Sequence, residues 1–331
     1  MKVEITKGKA KGVMTAPPSK SMAHRNLICA ALSGESSVSG VAFSQDILAT
    51  LDCLSALGAK INQQGDKITL GGLDPYCAGK VTLNCRESGS TLRFMLPLCL
   101  LSGEEITLIG SGRLLKRPMT VYEQLCKEKG IAFYQDDNCI KVKGRLSGGD
   151  FYVDGSVSSQ FISGLLFALP LLKEDSVINI TGELQSESYL KLTLSSLENF
   201  GITVDSSNIR RIKIFGGQSY CSKNMTVEGD YSNSAFFEAL NFLGSQVQID
   251  GLLENSLQGD KVYLDLIPKL KEENAVISLA DCPDLGPVLF ALASAGKGAV
   301  FTDTARLRIK ESDRVSCMEK ELSKFGVKME V

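Results

Sequence analysis

The chain has 331 residues, of which 44% are hydrophobic and 22% are charged, and its formal net charge is -2. These values are typical of a globular protein of α/β type with two domains, and they exclude a disordered or fibrous chain. The small net charge argues against nucleic acid as the main partner, because nucleic-acid binding requires a strongly basic surface.

The cysteines and the apolar runs indicate a cytoplasmic protein. Residues 1–11 are polar and lysine-rich, so no signal peptide is predicted. The ten cysteines form no Cys-x-x-Cys pair and the chain has one histidine, which argues against metal ligation and favours reduced thiols. The longest apolar runs, 94–101 and 165–172, are too short to span a membrane and each contains a proline.

The first motif in chain order is Ser-Lys-Ser-Met-Ala-His-Arg, residues 19–25. Two prolines precede it and an apolar run follows it, so it is predicted to lie at the N-terminus of a helix. Unpaired backbone N–H groups at such a position favour an anion, and Lys20 and Arg25 add positive charge. We therefore expect a phosphate or carboxylate site here.

A pair of helices recurs five times along the chain. Each pair is predicted to contain a mostly apolar, buried helix and then an amphipathic helix that ends at Gly or Asn and leads into a short strand. The buried helices are predicted to begin at Ser21, Ser88, Ser158, Ser232 and Pro283. The amphipathic segments and their strands are predicted at 51–61, 122–133, 192–204, 266–277 and 318–329.

This recurrence predicts a duplicated α/β architecture of repeats, each with a sheet against buried helices, grouped into two domains. The fifth pair lies directly before Val331. A sixth repeat would let the units divide evenly between two domains, so we expect a truncated or trimmed chain.

Later motifs add hydroxyl groups and cations. Residues 87–93 and 154–160 place hydroxyls, an arginine and an amide at predicted helix starts. Residues 113–118 carry three cations suited to gripping a phosphate or carboxylate. The alternation in residues 306–310 predicts a strand with Arg306, Arg308 and Lys310 on one face.

With these motifs the chain resembles the family of 5-enolpyruvylshikimate-3-phosphate synthases, also called 3-phosphoshikimate 1-carboxyvinyltransferases. The resemblance covers the whole chain and rests on seven ordered motifs. These are Pro-Ser-Lys-Ser-x-x-His-Arg, Gly-Ser-Thr-Leu-Arg, Leu-Lys-Arg-Pro, Asp-Gly-Ser-Val-Ser-Ser-Gln-Phe, Val-Glu-Gly-Asp-Tyr-Ser, Pro-Asp-Leu-Gly-Pro and Arg-Ile-Lys-Glu-Ser-Asp-Arg. It implies a two-domain fold of βαβαββ units, five of six being present here. Residues 1–19 and 229–331 would form one incomplete domain and residues 20–228 the other.

The resemblance also implies an activity. In that family the enolpyruvyl group of phosphoenolpyruvate moves to the 5-hydroxyl of shikimate 3-phosphate and phosphate is released, without a metal or cofactor. It further implies a shikimate-pathway enzyme, a glyphosate target and a monomer that binds neither nucleic acid nor a membrane.

By the same resemblance, particular residues are expected to do this work. The expected catalytic residues are Lys20, Asp284 and Glu311. The expected ligands of shikimate 3-phosphate are Lys20, Ser21, Arg25, Ser158, Ser159, Gln160, Ser186, Tyr189, Asp284, Arg306 and Lys310. The expected ligands of phosphoenolpyruvate are Lys20, Gly89, Arg117, Gln160 and Arg314. Two carboxylates amid cations suit the chemistry, since one group must take a proton from the hydroxyl and another must protonate the methylene carbon.

Two alternatives stay open at this stage. UDP-N-acetylglucosamine enolpyruvyl transferase shares the fold and the phosphoenolpyruvate chemistry, but its mobile loop carries a catalytic cysteine that residues 110–118 lack. A truncated form that binds shikimate 3-phosphate without turnover is the other alternative.

Overall fold

A computed structural model describes residue 4 and residues 8–331 of the chain. The absence of a signal peptide was predicted from residues 1–11, most of which lie outside the described residues. The chain folds as two compact lobes. The terminal lobe combines the segment up to Ser19 with Glu228–Val331, and the central lobe is Lys20–Val227.

The described residues form ten α-helices, which fall into five consecutive pairs as predicted. They are α1 (Lys20–Leu32), α2 (Gln45–Ala56), α3 (Gly89–Cys99), α4 (Thr120–Glu128), α5 (Ser159–Ala168), α6 (Glu187–Asn199), α7 (Tyr231–Phe242), α8 (Tyr263–Lys269), α9 (Gly286–Ala295) and α10 (Arg314–Ser323). None of the helices in this described part is long and apolar enough to cross a membrane.

Strands alternate with these helices. They are β1 (Lys11–Thr15), β2 (Ser36–Ser39), β3 (Lys60–Gln64), β4 (Lys67–Gly71), β5 (Val81–Asn84), β6 (Ile106–Ile109), β7 (Ala132–Gln135), β8 (Cys139–Lys143), β9 (Gly149–Asp154), β10 (Ser176–Thr181), β11 (Val204–Asp205), β12 (Arg211–Ile214), β13 (Asn224–Thr226), β14 (Gln246–Asp250), β15 (Val276–Ser278) and β16 (Val300–Thr302).

The central lobe contains three four-stranded sheets with one topology. Their strand orders are β13-β2-β4-β3, β5-β6-β8-β7 and β11-β12-β10-β9. Each sheet has one parallel pair, β13 with β2, β5 with β6 and β9 with β10, and its other pairs are antiparallel. Two sheets are complete βαβαββ units in chain order, and the third receives its first strand from the end of the lobe. The predicted repeat is therefore confirmed.

The terminal lobe is built from smaller parallel pairs. β1 pairs with β14 and β15 pairs with β16. The helices α7 to α10 and the 3-10 segment 283–285 supply the core of this lobe, in which Tyr263, Leu285 and Leu289 are almost fully buried. Helix α9 lies between β15 and β16 along the chain, whereas β1 and β14 are separated by the whole central lobe and α7.

The first helix of each pair in the central lobe has no solvent-facing side. Every residue of α1 from Met22 onward is buried, and α3 and α5 each expose little beyond one residue of their first turn. Helices α3 and α5 approach closely at Gly164, where an added Cβ would lie 2.2 Å from the carbonyl oxygen of Arg93. The prediction of buried first helices is thus confirmed for this lobe.

Four of the amphipathic helices end within three residues of the predicted glycine, whereas α8 ends at Lys269, five residues before Asn274. The predicted end residues, Gly58, Gly130, Gly201, Asn274 and Gly326, all have positive φ, between 60° and 109°. This left-handed conformation is easiest for glycine and next for asparagine, which explains why those residues mark the helix ends.

Three local predictions are wrong. Residues 305–309 form a 3-10 helix rather than a strand, because Leu307 is buried against Gly286 and, within the described part of the chain, no strand pairs with this segment. Residues 327–329 form no strand. Helix α7 is only partly buried, since Phe236 and Leu240 are 52% and 40% exposed.

Candidate functional site

The start of α1 places a lysine beside the start of α2. Lys20 is the first residue of α1, and its Nζ lies 2.6 Å from Oδ2 of Asp46 in the first turn of α2. The lysine side chain is half exposed, so it can reach a ligand while the aspartate holds its position. A cation at a helix N-terminus is repelled by the positive end of the helix dipole. The negative charge of Asp46 offsets this repulsion.

Arg25 lies one turn further along α1 and is almost completely buried. Its guanidinium donates hydrogen bonds to Oγ1 of Thr193 at 2.8 Å and to the carbonyl oxygens of Ser21 and Tyr189 at 2.7 and 2.9 Å. Burial lowers the pKa of Arg25 to about 10, so it stays charged at neutral pH. The arginine thus joins α1 to α6 and brings the expected ligands Ser21 and Tyr189 next to each other.

The start of α3 forms a cradle for a second arginine. Ser88 caps the helix by accepting a hydrogen bond from the backbone N–H of Thr91. Gly89 has no side chain, and the guanidinium of Arg117 occupies the space where one would lie, 2.5 Å from an added Cβ. Arg117 is buried beside the start of a helix, where backbone N–H groups lack partners within the helix. This is a suitable place for a carboxylate or phosphate.

Only one of the three cations predicted in residues 113–118 reaches this position. Arg113 precedes a 3-10 turn, 114–116, of which Lys116 is the last residue, and both are exposed, whereas Arg117 is buried. Leu114 and Leu115 are buried in the core, and Arg117 is the arginine of this loop that lies at Gly89.

The start of α5 is tied to that of α3. Ser158 caps α5, and Gln160 in its first turn donates from Nε2 to Oγ of Ser90 at 2.9 Å. The Oε1 atom of Gln160 accepts a hydrogen bond from Nη1 of Arg93 at 2.7 Å. Both ends of the amide are thereby fixed by α3.

Two further expected ligands lie at helix starts of the same lobe. Ser159 is the first residue of α5 and is buried. Ser186 immediately precedes α6 and is buried with a left-handed backbone, φ 57°. A left-handed serine is strained, and such residues cluster where a side chain must be aimed at a particular point.

These contacts link several of the expected ligands of the central lobe, and we call the whole set of expected ligands in this lobe the anion cluster. Its members are Lys20, Ser21, Arg25, Gly89, Arg117, Ser158, Ser159, Gln160, Ser186 and Tyr189. Four helix starts joined by side chains supply backbone N–H groups, hydroxyls and three cations. Such a group can bind a phosphate and a carboxylate at once.

The terminal lobe holds a separate group, which we call the acid–base cluster and which consists of Asp284, Lys310, Glu311 and Arg314. Asp284 lies in the 3-10 turn before α9, and its Oδ1 atom is 2.7 Å from Nη1 of Arg314 and 3.6 Å from Nζ of Lys310. Nη2 of Arg314 lies 3.2 Å from Oε2 of Glu311. Two carboxylates therefore share one arginine.

Lys310 is a largely buried cation of the acid–base cluster, with 20% of its side chain exposed. Burial lowers its pKa, and the positive charges of Arg314 and Arg306 lower it further, although Asp284 acts in the opposite direction. Arg306 thus lies close enough for its positive charge to affect the pKa of Lys310. Arg308 points elsewhere, since it pairs with Asp313 at 3.1 Å at the start of α10. The prediction that Arg306, Arg308 and Lys310 share one face of a strand is therefore wrong.

Sequence reasoning missed Asp260, a buried acid near the acid–base cluster. Its Oδ2 accepts a short hydrogen bond from Oγ of Ser232, and its Oδ1 has no hydrogen-bond partner among the described residues. Burial and the negative charge of Asp284 raise its pKa to about 7. The carboxyl group is thus poised between its neutral and charged forms at physiological pH.

Asp46 and Arg93 were also not predicted as site residues. Asp46 orients Lys20 from a helix that begins 25 residues later, a pairing with no local signal in the sequence. Arg93 did carry a signal, because it lies four residues after Gly89 and therefore on the same face of α3.

The similarity of this chain to known proteins shows the family to which it belongs. The family described as EPSP synthase (3-phosphoshikimate 1-carboxyvinyltransferase) matches residues 5–275. A 3-phosphoshikimate 1-carboxyvinyltransferase of Clostridium perfringens (strain ATCC 13124) is 43% identical, with 98% of this chain and 82% of the relative covered. That of Clostridium kluyveri is 41% identical, with 99% and 82% covered.

Solved structures agree on the fold. The EPSP synthase of Acinetobacter baumannii superimposes with a TM-score of 0.77 over 97% of this chain and 80% of that chain, at 22% identity. The expected fold class is confirmed. The alternative of a UDP-N-acetylglucosamine enolpyruvyl transferase is not favoured, since the matching family and these relatives carry the other activity in their names.

The raised pKa of Asp260 predicts a pH-dependent stability. Between about pH 4 and pH 7 the folded protein keeps a proton on this carboxyl that the unfolded chain has released, so the stability due to the group falls as the pH rises through that window. Asparagine stays neutral and still accepts from Ser232. We expect the free energy of unfolding of Asp260→Asn, measured by urea denaturation, to rise relative to the wild type as the pH increases.

The control is Asp265→Asn, which removes an exposed carboxylate from α8. Its stability relative to the wild type should change little over the same pH range. A pH-independent difference between Asp260→Asn and the wild type would show that folding does not raise the pKa of Asp260.

Proposed function

We propose that this chain, which belongs to the EPSP synthase (3-phosphoshikimate 1-carboxyvinyltransferase) family, transfers the enolpyruvyl group of phosphoenolpyruvate to the 5-hydroxyl of shikimate 3-phosphate and releases phosphate. The observation that carries the proposal is the anion cluster. Both substrates are phosphorylated carboxylic acids, and the cluster offers buried cations at joined helix starts, where anions bind best.

Shikimate 3-phosphate is assigned to the hydroxyl-rich part of the anion cluster. The starts of α5 and α6 supply Ser158, Ser159 and Ser186, whose hydroxyls suit a phosphate and a ring bearing hydroxyl groups. Arg25 and its neighbours Ser21 and Tyr189 complete this side, with Arg306, Lys310 and Asp284 of the terminal lobe as further proposed ligands.

Phosphoenolpyruvate is assigned to the arginine-rich part. Arg117 above Gly89 can hold its anionic groups through paired N–H donors, and Gln160 is fixed nearby by Ser90 and Arg93. Lys20 is proposed to contact both substrates, and Arg314 is proposed as the cationic ligand from the terminal lobe.

The acid–base cluster is proposed to move the protons. In the addition step, the 5-hydroxyl oxygen forms a bond to C2 of phosphoenolpyruvate while Asp284 takes the hydroxyl proton and Glu311 gives a proton to the methylene carbon. In the elimination step, the carboxylate of Glu311 takes a proton back from the new methyl group, the carbon–carbon double bond forms again, and phosphate leaves with the electron pair of the broken C2–O bond. Arg314 holds both carboxylates, which keeps their charges balanced as protons move.

We also propose that the two lobes are the two domains expected from the sequence, and that the protein is a monomeric cytoplasmic enzyme of the shikimate pathway and a glyphosate target. The cytoplasmic assignment is supported by ten free cysteines, six of them buried, which suit a reducing compartment.

The proposed proton transfer predicts a large loss of turnover when Glu311 is neutralised. Glu311→Gln removes the proposed proton donor, so we expect kcat to fall by on the order of 10²-fold or more, with substrate binding much less affected. Turnover is measured as phosphate released from phosphoenolpyruvate in the presence of shikimate 3-phosphate. The control is Glu319→Gln, which removes an exposed carboxylate from α10 and should leave kcat unchanged. Wild-type turnover in Glu311→Gln would refute its role.

The cradle at Gly89 predicts a selective loss of phosphoenolpyruvate binding. In Gly89→Ala the added methyl group would lie 2.5 Å from Nη1 of Arg117, so the guanidinium must move. We expect KM for phosphoenolpyruvate to rise by about tenfold or more, because misplacing a ligand by an ångström costs that much or more. The affinity for shikimate 3-phosphate should stay nearly constant.

Gly79→Ala is the matched control, since a Cβ at Gly79 meets nothing within 4 Å. An unchanged KM for phosphoenolpyruvate in Gly89→Ala would place that substrate away from Arg117.

A further inference from the structure

A buried chain of hydrogen bonds runs through the central lobe from the only histidine of the protein. Nδ1 of His24 lies 2.8 Å from Oγ1 of Thr50, which lies 2.8 Å from Oγ1 of Thr91, which lies 2.7 Å from Oγ of Ser88. None of these four side chains is more than 1% exposed. This series of hydrogen bonds links α1, α2 and α3. It has no part in the proposed reaction.

The direction in which these hydrogen bonds are donated follows from the state of the His24 ring. Nε2 of His24 is buried and has no hydrogen-bond partner among the described residues. A proton on Nε2 would be a buried donor without an acceptor, which is costly, whereas a lone pair there is tolerated more easily. The proton therefore belongs on Nδ1, which donates to Thr50. Thr50 then donates to Thr91, and Thr91 donates to Ser88, so each threonine hydroxyl both accepts and donates.

The environment of His24 keeps the ring neutral, which this arrangement requires. Burial lowers the pKa of His24 well below its usual value, and the positive charges of Lys20 and Arg25 lower it further. The ring also packs edge-on against Phe94, with the ring centroids 6.4 Å apart.

The series of hydrogen bonds ends at the first turn of α3. Residues of this turn contact the proposed phosphoenolpyruvate ligands. Ser88 caps this turn, Gly89 lies under Arg117 and Ser90 holds Gln160. Oγ1 of Thr91 also lies 3.4 Å from the carbonyl oxygen of Asp46, the partner of Lys20. A displacement of Thr91 would therefore move the supports of several ligands together.

We propose that His24, Thr50 and Thr91 are positioning residues, and that the hydrogen bonds running from Nδ1–H of His24 hold the first turn of α3 where Arg117 and Gln160 receive phosphoenolpyruvate. The identity of the ligand rests on the proposed function. The hydrogen-bond chain does not, because it is defined by the geometry of the protein alone.

The first test is nuclear magnetic resonance of the wild-type protein with ¹⁵N-labelled histidine. Because His24 is the only histidine, one pair of ring-nitrogen signals reports its state in the full chain. We expect a neutral ring at pH 7 with the proton on Nδ1. A proton on Nε2 or a cationic ring would overturn the proposal, and this test needs neither a substrate nor a variant.

The second test compares Thr50→Val with Thr50→Ser in the phosphate-release assay. Valine keeps the shape of threonine and breaks the chain, so KM for phosphoenolpyruvate should rise by about tenfold, while kcat and KM for shikimate 3-phosphate stay within about threefold. Serine keeps the hydroxyl and should restore the wild-type KM. Thr82→Val, on an exposed position of β5, is the control and should match the wild type.

The outcomes separate the two proposals. An unchanged KM in Thr50→Val, or an equal rise in Thr50→Ser, would overturn the positioning role while leaving the proposed function intact. Absence of turnover in the wild type would refute the proposed function, and the tautomer of His24 would still decide whether the hydrogen-bond chain exists.

Discussion

The burial of whole helices is the constraint on which the rest of this structure depends. Helices α1, α3 and α5 have almost no exposed residue beyond their first turns, so a polar side chain inside them needs a buried partner, whereas groups at their ends can face a ligand. At their N-termini the backbone N–H groups lack partners within the helix. Cations and hydroxyls gather there, and a site for anionic ligands results from the packing itself.

The same constraint explains which parts of the fold could be predicted. The helix pairs and their left-handed ends at Gly58 and Asn274 follow from local patterns, and the structure confirms them. Residues 305–309 were predicted wrongly because alternation alone cannot show whether a neighbouring strand exists, and Leu307 found a place against α9 instead. The exposure of α7 was likewise not predictable, because the apolar composition of a helix does not show which other elements pack against it.

For the site, sequence motifs predicted the ligand candidates but not the contacts that hold them. The bond from Arg25 to Thr193 joins residues 168 positions apart, and the pair of Lys20 and Asp46 joins two helices. Such pairings follow from how the helices pack, so only the folded chain shows them. The buried acid Asp260 is another example, because its raised pKa comes from burial and from Asp284 rather than from any motif.

The measurement that tests the account most directly is calorimetric titration of shikimate 3-phosphate into the wild type and into Lys20→Ala. The account predicts saturable binding of about one equivalent, weakened by on the order of tenfold or more when the charge at the start of α1 is lost. Lys60→Ala, which removes an exposed cation from β3, should bind as the wild type does. No binding to the wild type, or equal binding to Lys20→Ala, would contradict the claim that the joined helix starts form the substrate site.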